Sequence, residues 1–296
     1  MRLLVLGGSK FLGRQVVQTA LDCGHEVTMF NRGRTNPGLF PEVRRLVGDR
    51  DTGDVAALAA GEWDGVADFS GFLPGQVEAV ANVVGDRVGH YIFMSSIAVY
   101  RDLDRAGLAE DAPLLDWVPG APEVWNMDNY GALKVGCERV VADAFPGRSS
   151  CLRSGFILGP HGYDLGHWGA DLAAGRDVSC SLRPEHPIQI LDSRDLAEFV
   201  LCAIESGVDG PMNVVGPPSV VGEVAAAWTG CVPGASVRWA GGGDDLGLSP
   251  DDDPGTFRLS NSRAVDAGLR LRPAEETARD YLDWIRSGGT PPPPPH

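Results

Sequence analysis

Lysine is nearly absent from this chain of 296 residues: among 25 basic residues only Lys10 and Lys134 are lysines, against 40 aspartates and glutamates. The formal net charge of −15 repels phosphate backbones and anionic lipid headgroups, which argues against nucleic acid or membrane as a general partner. No apolar run reaches the ~18 residues that a bilayer-spanning helix needs. The six cysteines (Cys23, Cys137, Cys151, Cys180, Cys202 and Cys231) include no C-x-x-C pair and no metal-ligand spacing, so no metal is expected. They read as reduced, mostly buried thiols of a cytoplasmic protein. The chain opens on a strand pattern, which predicts no cleaved leader. No internal repeat is evident.

What is present is alternation. Apolar strand patterns at Arg2–Leu6, Glu26–Phe30, Arg44–Val47, Gly65–Phe69, His90–Met94 and Ser150–Leu152 interleave with helical patterns at Gly13–Cys23, Asp54–Ala60, Pro74–Val84 and Asn126–Ala144. That alternation predicts an α/β fold, a doubly wound parallel Rossmann sheet. After about Gly159 the pattern loosens, returns as a strand and helix in Pro187–Ile204, and ends in an amphipathic helix over Ala274–Arg286. The expected organisation is a dinucleotide-binding part over 1–160, with 187–215 returning to it. A smaller, interleaved substrate part takes 161–186 and 216–290, with a glycine-aspartate loop over Ala240–Gly255, and 291–296 form a disordered proline tail.

Between the first strand and first helix stands "GGSKFLG" (Gly7–Gly13). Glycines there let the backbone approach a pyrophosphate at a helix N-terminus. Gly7, Ser9, Lys10, Phe11, Leu12 and Gly13 are therefore candidate cofactor contacts, with Lys10 where the usual spacing has glycine. The second strand ends in Asn31, followed by Arg32 and Arg34, where an NAD site usually places a carboxylate for the ribose 2′-hydroxyl. Guanidiniums there, with Lys10, suit a 2′-phosphate and favour NADP; the alternative is a solvated basic loop with NAD bound by Asn31. Asp49, in "GDRD" after the third strand, either accepts from the adenine amino group or is a plain turn residue.

Tyr130 and Lys134 lie four apart, on one helical face. An ammonium and a cationic nicotinamide beside a phenol are expected to lower its pKa from ~10, so that Tyr130 could exchange a proton with an alcohol or carbonyl. Lys134 also has donors for the nicotinamide ribose hydroxyls, so it is a candidate cofactor contact as well, and Ser96 ends the central strand and can hydrogen-bond the same substrate oxygen.

Together these residues resemble the extended short-chain dehydrogenase/reductase superfamily, the NAD-dependent epimerase/dehydratase group. The resemblance spans "GGSKFLG", "GDR", "SSIAVY", "YGALK", "LRSGFILGP" and "ILDSRDLA". It implies Ser96, Tyr130 and Lys134 as the catalytic residues and Arg50, Ser70 and Gly71 near the cofactor. It also implies Gly155, Phe156 and Ile157 along the nicotinamide. The departures concern substrate. Ile97 and Ala98 replace the acid pair of the dehydratases, and Phe156 stands where sugar-nucleotide enzymes usually carry Asn. Phe72, Ile97, Phe156, His161, Tyr163, His167 and Trp168 are candidate substrate contacts. The stretch Arg101–Asn129 is long for the family and reads as a surface loop or a cover for the site. The expected activity is NAD(P)(H)-dependent interconversion of an alcohol and a carbonyl on a small hydroxylated molecule, by a monomer or homodimer. The alternatives are a nucleotide-sugar epimerase holding NAD tightly, and a non-catalytic nucleotide- or RNA-binding protein like the chloroplast stem-loop binders that share the glycine turn.

Overall fold

The computed structural model describes residues 1–165, 167–240 and 258–292. Apart from Ala240, the glycine-aspartate loop lies outside the described residues, as do the last four residues of the proline tail. The strands are β1 (Arg2–Leu6), β2 (Glu26–Asn31), β3 (Arg44–Val47), β4 (Trp63–Asp68), β5 (Val88–Ser96), β6 (Ser149–Ser154), β7 (Phe156–Leu158), β8 (Val178–Cys180), β9 (Pro187–Ile188), β10 (Ile190–Asp192), β11 (Gly210–Val214), β12 (Ser219–Val220) and β13 (Val237–Trp239). The helices are α1 (Phe11–Asp22), α2 (Pro74–Val84), α3 (Tyr130–Ala144), α4 (Trp168–Ala173), α5 (Ser193–Ser206), α6 (Val221–Gly230), α7 (Ser262–Asp266) and α8 (Ala274–Arg286).

Seven strands form one parallel sheet in the order β11-β6-β5-β4-β1-β2-β3. Its centre shows why β1 is apolar throughout. Leu3 and Val5 point into a core shared with Val16, Val17 and the α5 residues Phe199 and Val200. Leu4 and Leu6 point into the opposite core with Val77, Val80 and Val141 of α2 and α3. A strand covered on both faces has no polar side to alternate with. β11 joins the sheet as an edge strand, so residues from the chain's second half complete the first half's sheet. A third core, holding Trp168, Trp228 and Tyr281, lies among α4, α6 and α8.

Boundaries differ where local hydrogen bonds decide. α3 begins at Tyr130 rather than near Asn126, because Asn126 and Asn129 each accept the other's backbone N–H at 3.0 Å and close a turn. The pattern at Asp54–Ala60 is only a tight turn of helix, Ala56–Ala60. The first part of the long stretch after β5 packs down: Leu108 and Leu114 join Tyr100 and Leu259, and Gly107 donates to the Arg258 carbonyl at 2.6 Å.

The join between the β10–α5 segment and residues 272–277 is ionic. Asp192, at the end of β10, accepts from the Arg194 backbone and from Thr277 of α8, each at 2.7 Å. Arg272 reaches Asp195 at 2.9 Å and Asp192 at 3.4 Å. Burial pushes the Asp195 carboxyl up to about 6 even with this guanidinium beside it. Removing one member of a buried ion pair strands the other and costs about 3 kcal/mol or more, so Arg272→Ala should destabilise the fold by that order at pH 8. A carboxyl whose pKa is higher folded than unfolded adds stability at low pH and loses it as pH rises through about 6. Denaturant unfolding at pH 5 should therefore show a smaller loss for Arg272→Ala than at pH 8. Equal losses at both values would refute this account of the join.

Candidate active site

The glycine turn after β1 is built for close approach. Gly7 holds φ +109°, and a Cβ on Gly13 would stand 2.7 Å from the Gly8 backbone nitrogen. Only glycine lets α1 start this close to the turn. The turn and Gly13 of that helix start border a groove of about 450 Å³, within the usual range for ligand sites. Gly7, Ser9, Lys10 and Gly13 line it, with Asn31, Arg32, Arg34, Asp49, Arg50, Ser70, Phe72 and Tyr163. Phe11 packs instead beneath Gly162, whose Cβ would stand 2.4 Å from its ring.

Along the groove floor runs a chain of polar contacts that the sequence reading did not identify. Arg32 pairs with Asp51 at 3.2 Å. Asp51 accepts from the Gln76 amide at 2.6 Å, and the Gln76 side-chain oxygen accepts from Phe72 and Leu73 at 3.0 and 3.2 Å. Arg50 donates to the Gln76 carbonyl, to Ser70 Oγ at 3.1 Å, and to Asp68 at 2.7 Å. Asp68, which also accepts from the Tyr91 hydroxyl at 2.8 Å, is buried. Burial opposes its charge, but Arg50 and the other donors win and hold the carboxyl below its usual range. The signal lay in the sequence: a carboxylate ending an apolar central strand needs a buried partner.

Three expected cofactor contacts that line the groove also carry structural bonds. Arg50 is turned inward to Asp68 and the 70–76 loop, so it positions that loop. Asn31 is committed at both ends, donating to the Gly7 carbonyl at 2.8 Å and accepting from Gly33 at 2.9 Å, so it pins the turn. Asp49 accepts from the Asp51 backbone at 3.1 Å, as a turn aspartate does. Lys10 and Arg34 make no ion pair with a described residue, whereas Arg32 is partly neutralised by Asp51.

At the other end, β5, α3 and the loop after β4 bring Ser96, Tyr130, Lys134, Gly71 and Phe72 together. Lys134 is buried, and its Nζ donates to the carbonyls of Gly71 and Met94, both at 2.8 Å. The rings of Phe93, Phe72 and Tyr130 lie 4.6, 5.1 and 5.9 Å from it. Burial lowers the ammonium's pKa. Burial raises the Tyr130 phenol, and contact with the Ser96 hydroxyl only partly offsets this. In the protein alone the phenol thus lies above its ordinary range, with the ammonium directed at two carbonyls rather than at the phenol oxygen; the expected lowering includes the charge of a bound nicotinamide. Ser96 accepts from the Ala98 N–H at 3.2 Å, which leaves its own proton free to donate. One turn along α3, Glu138 accepts from Ser95 at 2.6 Å and takes a two-point bond from Arg153 at 3.0 and 2.7 Å, fixing helix to sheet behind the site.

The remaining candidates scatter. Trp168 is buried in the third core, its indole N–H on the Ser179 carbonyl at 3.1 Å, and it cannot meet a substrate. His161 packs edge-on against Trp284 at 5.0 Å, and His167 is exposed at the start of α4. Ile97 is buried beneath Gly155, while Phe156 and Ile157 of β7 are half-buried. Among the described residues no group of His, Cys, Asp or Glu is arranged to hold a metal, and no helix is long and apolar enough to cross a membrane.

No family model matches the chain. It is 44% identical over 61 residues to a 3-beta-hydroxysteroid dehydrogenase of Mycolicibacterium neoaurum, a match covering 20% of this chain and 17% of that protein. It is 29% identical over 118 residues to the chloroplast stem-loop binding protein of 41 kDa b of Arabidopsis thaliana, covering 35% of this chain and 31% of that one. The matches thus span less than a third of either relative. Whole-chain likeness comes from solved structures. The Bordetella bronchiseptica enzyme WbmH in complex with NAD+ aligns with TM-score 0.73 and 15% identity over 98% of this chain and 99% of its own. A UDP-glucose-4-epimerase from Stenotrophomonas maltophila, with bound NAD and formylated UDP-arabinopyranose, gives 0.74 and 19% over 97% and 98%. The chain therefore shares the Rossmann-like α/β fold of these two structures.

The Arg32–Asp51 pair generates a measurable expectation. Both side chains are more than half exposed, and such a pair contributes about 0.5–1 kcal/mol. Asp51→Asn keeps an acceptor for Gln76 and removes the charge that competes for Arg32. NADP affinity should rise two- to fivefold, by about that energy, with NAD affinity unchanged. Titration of both dinucleotides checks this; an unchanged NADP/NAD ratio would show that Arg32 does not meet a 2′-phosphate.

Proposed function

We propose that the protein is an NAD(P)(H)-dependent oxidoreductase that interconverts an alcohol and a carbonyl. The observation that carries this reading is the meeting of Ser96, Tyr130 and Lys134 at the mouth of β5, one loop away from a glycine-turn groove. The groove fits a dinucleotide on its own evidence: close-packed glycines at a helix start and cations at the ribose end. Gly7, Ser9, Lys10 and the first turn of α1 would hold the pyrophosphate, and Lys10, Arg32 and Arg34 the 2′-phosphate of NADP. When bound, the nicotinamide supplies or accepts a hydride at its C4 position.

This chain's residues do the rest. In the reductive direction the Tyr130 hydroxyl gives its proton to the carbonyl oxygen, while Ser96 donates a second hydrogen bond and fixes that oxygen. In the oxidative direction Tyr130 takes the alcohol proton. Lys134 keeps the Gly71 loop against β5 and places a positive charge beside the Tyr130 ring. The net charge of −15 supports a small-molecule substrate over RNA. The NAD-bound epimerase structures favour a second reading, an epimerase that keeps its cofactor resident and returns the hydride to the same substrate. A reductase consumes added cofactor; an epimerase releases NAD only on denaturation.

Tyr130→Phe should lower turnover about 100-fold or more, the usual contribution of general acid–base catalysis, with cofactor affinity unchanged. Because the phenol lies above its ordinary range, oxidation should accelerate as pH rises through the alkaline range, and this pH dependence should disappear in Tyr130→Phe. Retention of more than about a tenth of the rate would contradict the assignment.

A further inference from the structure

The stretch leading into Tyr130 leaves unusual side chains in water. Val124 is 66% exposed, Trp125 42% and Met127 68%, and Phe72 across from them is 41% exposed. Isolated apolar residues on a surface need no explanation. These three fall within four consecutive positions, on a loop fastened at both ends to the site. At one end Glu123 accepts from the Gly75 N–H at 2.8 Å, at the start of α2 and three residues from Phe72. At the other, Asn129 donates to the Val124 carbonyl at 2.5 Å and immediately precedes Tyr130. Phe72 faces the Lys134 ammonium at 5.1 Å. The loop 123–129 therefore runs from the start of α2, three residues past Phe72, to Tyr130, with its exposed apolar residues in the positions just before the phenol.

Its charges are of one sign. Between Arg105 and Lys134 the sequence contains no lysine or arginine, while Asp116, Glu123 and Asp128 fall within it. Asp116 is paired with Arg101 at 3.0 Å, so the unbalanced charges are those of the loop 123–129 itself, Glu123 and Asp128, and a nucleoside diphosphate crossing that loop toward Tyr130 meets two carboxylates.

We propose that the substrate is a secondary alcohol or ketone on an uncharged, apolar body, which rests on Val124, Trp125 and Met127 with its oxygen toward Tyr130 and Ser96. This rests on the oxidoreductase reading above and names its substrate class. In the oxidative direction the carbinol C–H bond breaks and its hydride passes to the oxidised nicotinamide dinucleotide. The hydroxyl proton passes to Tyr130 and on to water, and the carbon–oxygen bond becomes a carbonyl.

The test uses the full chain loaded with NADP⁺, probed by calorimetry and by NADPH absorbance with 2-tetralol, octan-2-ol and UDP-glucose. At least one of the two apolar alcohols should bind and be oxidised, and UDP-glucose should neither bind nor compete. The double variant Trp125→Ser/Met127→Ser, altering only exposed side chains, should raise KM about tenfold, as loss of apolar contact does, with kcat and NADP affinity within about twofold. Binding without oxidation, weakened in the double variant, would uphold the apolar site and overturn the oxidoreductase reading. Binding or turnover of UDP-glucose, failure of both alcohols to bind, or an unchanged KM in the double variant would overturn the proposed substrate class.

Discussion

One buried ammonium ties the catalytic end together. Lys134 reaches from α3 to the carbonyl of Gly71 in the loop after β4 and to that of Met94 in β5. A buried cation is costly unless each donor finds an acceptor, and here two carbonyls and three aromatic faces surround it. The constraint acts in both directions. The carbonyls fix where the ammonium sits, and the ammonium fixes how near the Gly71–Phe72 loop lies to Tyr130. In a chain with only two lysines, no other lysine lies near enough in sequence to take this place. An arginine is longer and planar, and would not fit between two carbonyls at 2.8 Å in the same way.

The second constraint is the line of polar contacts under the groove. It begins at Arg32 and Asp51, passes through Gln76 and Arg50, and ends at the buried Asp68 beside Tyr91. The same loop, 70–76, is therefore held from one side by this network and from the other by Lys134. The fold supplies the geometry without conferring an activity by itself, because parallel strands covered on both faces deliver their C-terminal ends to one rim, where β1, β4 and β5 place the glycine turn, the Phe72 loop and Ser96.

Much of this was legible in the sequence because it depends on short-range pattern. β1 and β3 were read at their observed bounds, and α2 and α8 likewise, since apolar period, Gly and Pro mark them. Tyr130 and Lys134 were legible because four-residue spacing on a helix fixes a shared face. What escaped depends on partners far along the chain. Arg50 was read as a cofactor contact, and its bond to Asp68, 18 residues away, was not legible. Asn31 was read the same way, and its bond to the Gly7 carbonyl, 24 residues before it, was equally hidden. Trp168 stood among histidines and glycines that suggested a pocket mouth, yet α4 turns it into the third core. Spacing likewise places the Lys134 ammonium near the Tyr130 phenol but does not say what its protons face.

The central claim is that the Lys134 end and the glycine-turn end are one nicotinamide dinucleotide site. The most direct measurement titrates the reduced dinucleotide into wild type and into Lys134→Met, following nicotinamide fluorescence, with thermal unfolding as a control for folding. The account predicts saturable one-to-one binding by the wild type. It predicts affinity at least about tenfold weaker in the folded variant, because the third ammonium donor, beyond the two on Gly71 and Met94, is assigned to a nicotinamide ribose hydroxyl, and a lost charged hydrogen bond contributes roughly 1.5–3 kcal/mol. Absence of saturable binding by the wild type, or equal affinity in a folded Lys134→Met protein, would contradict it.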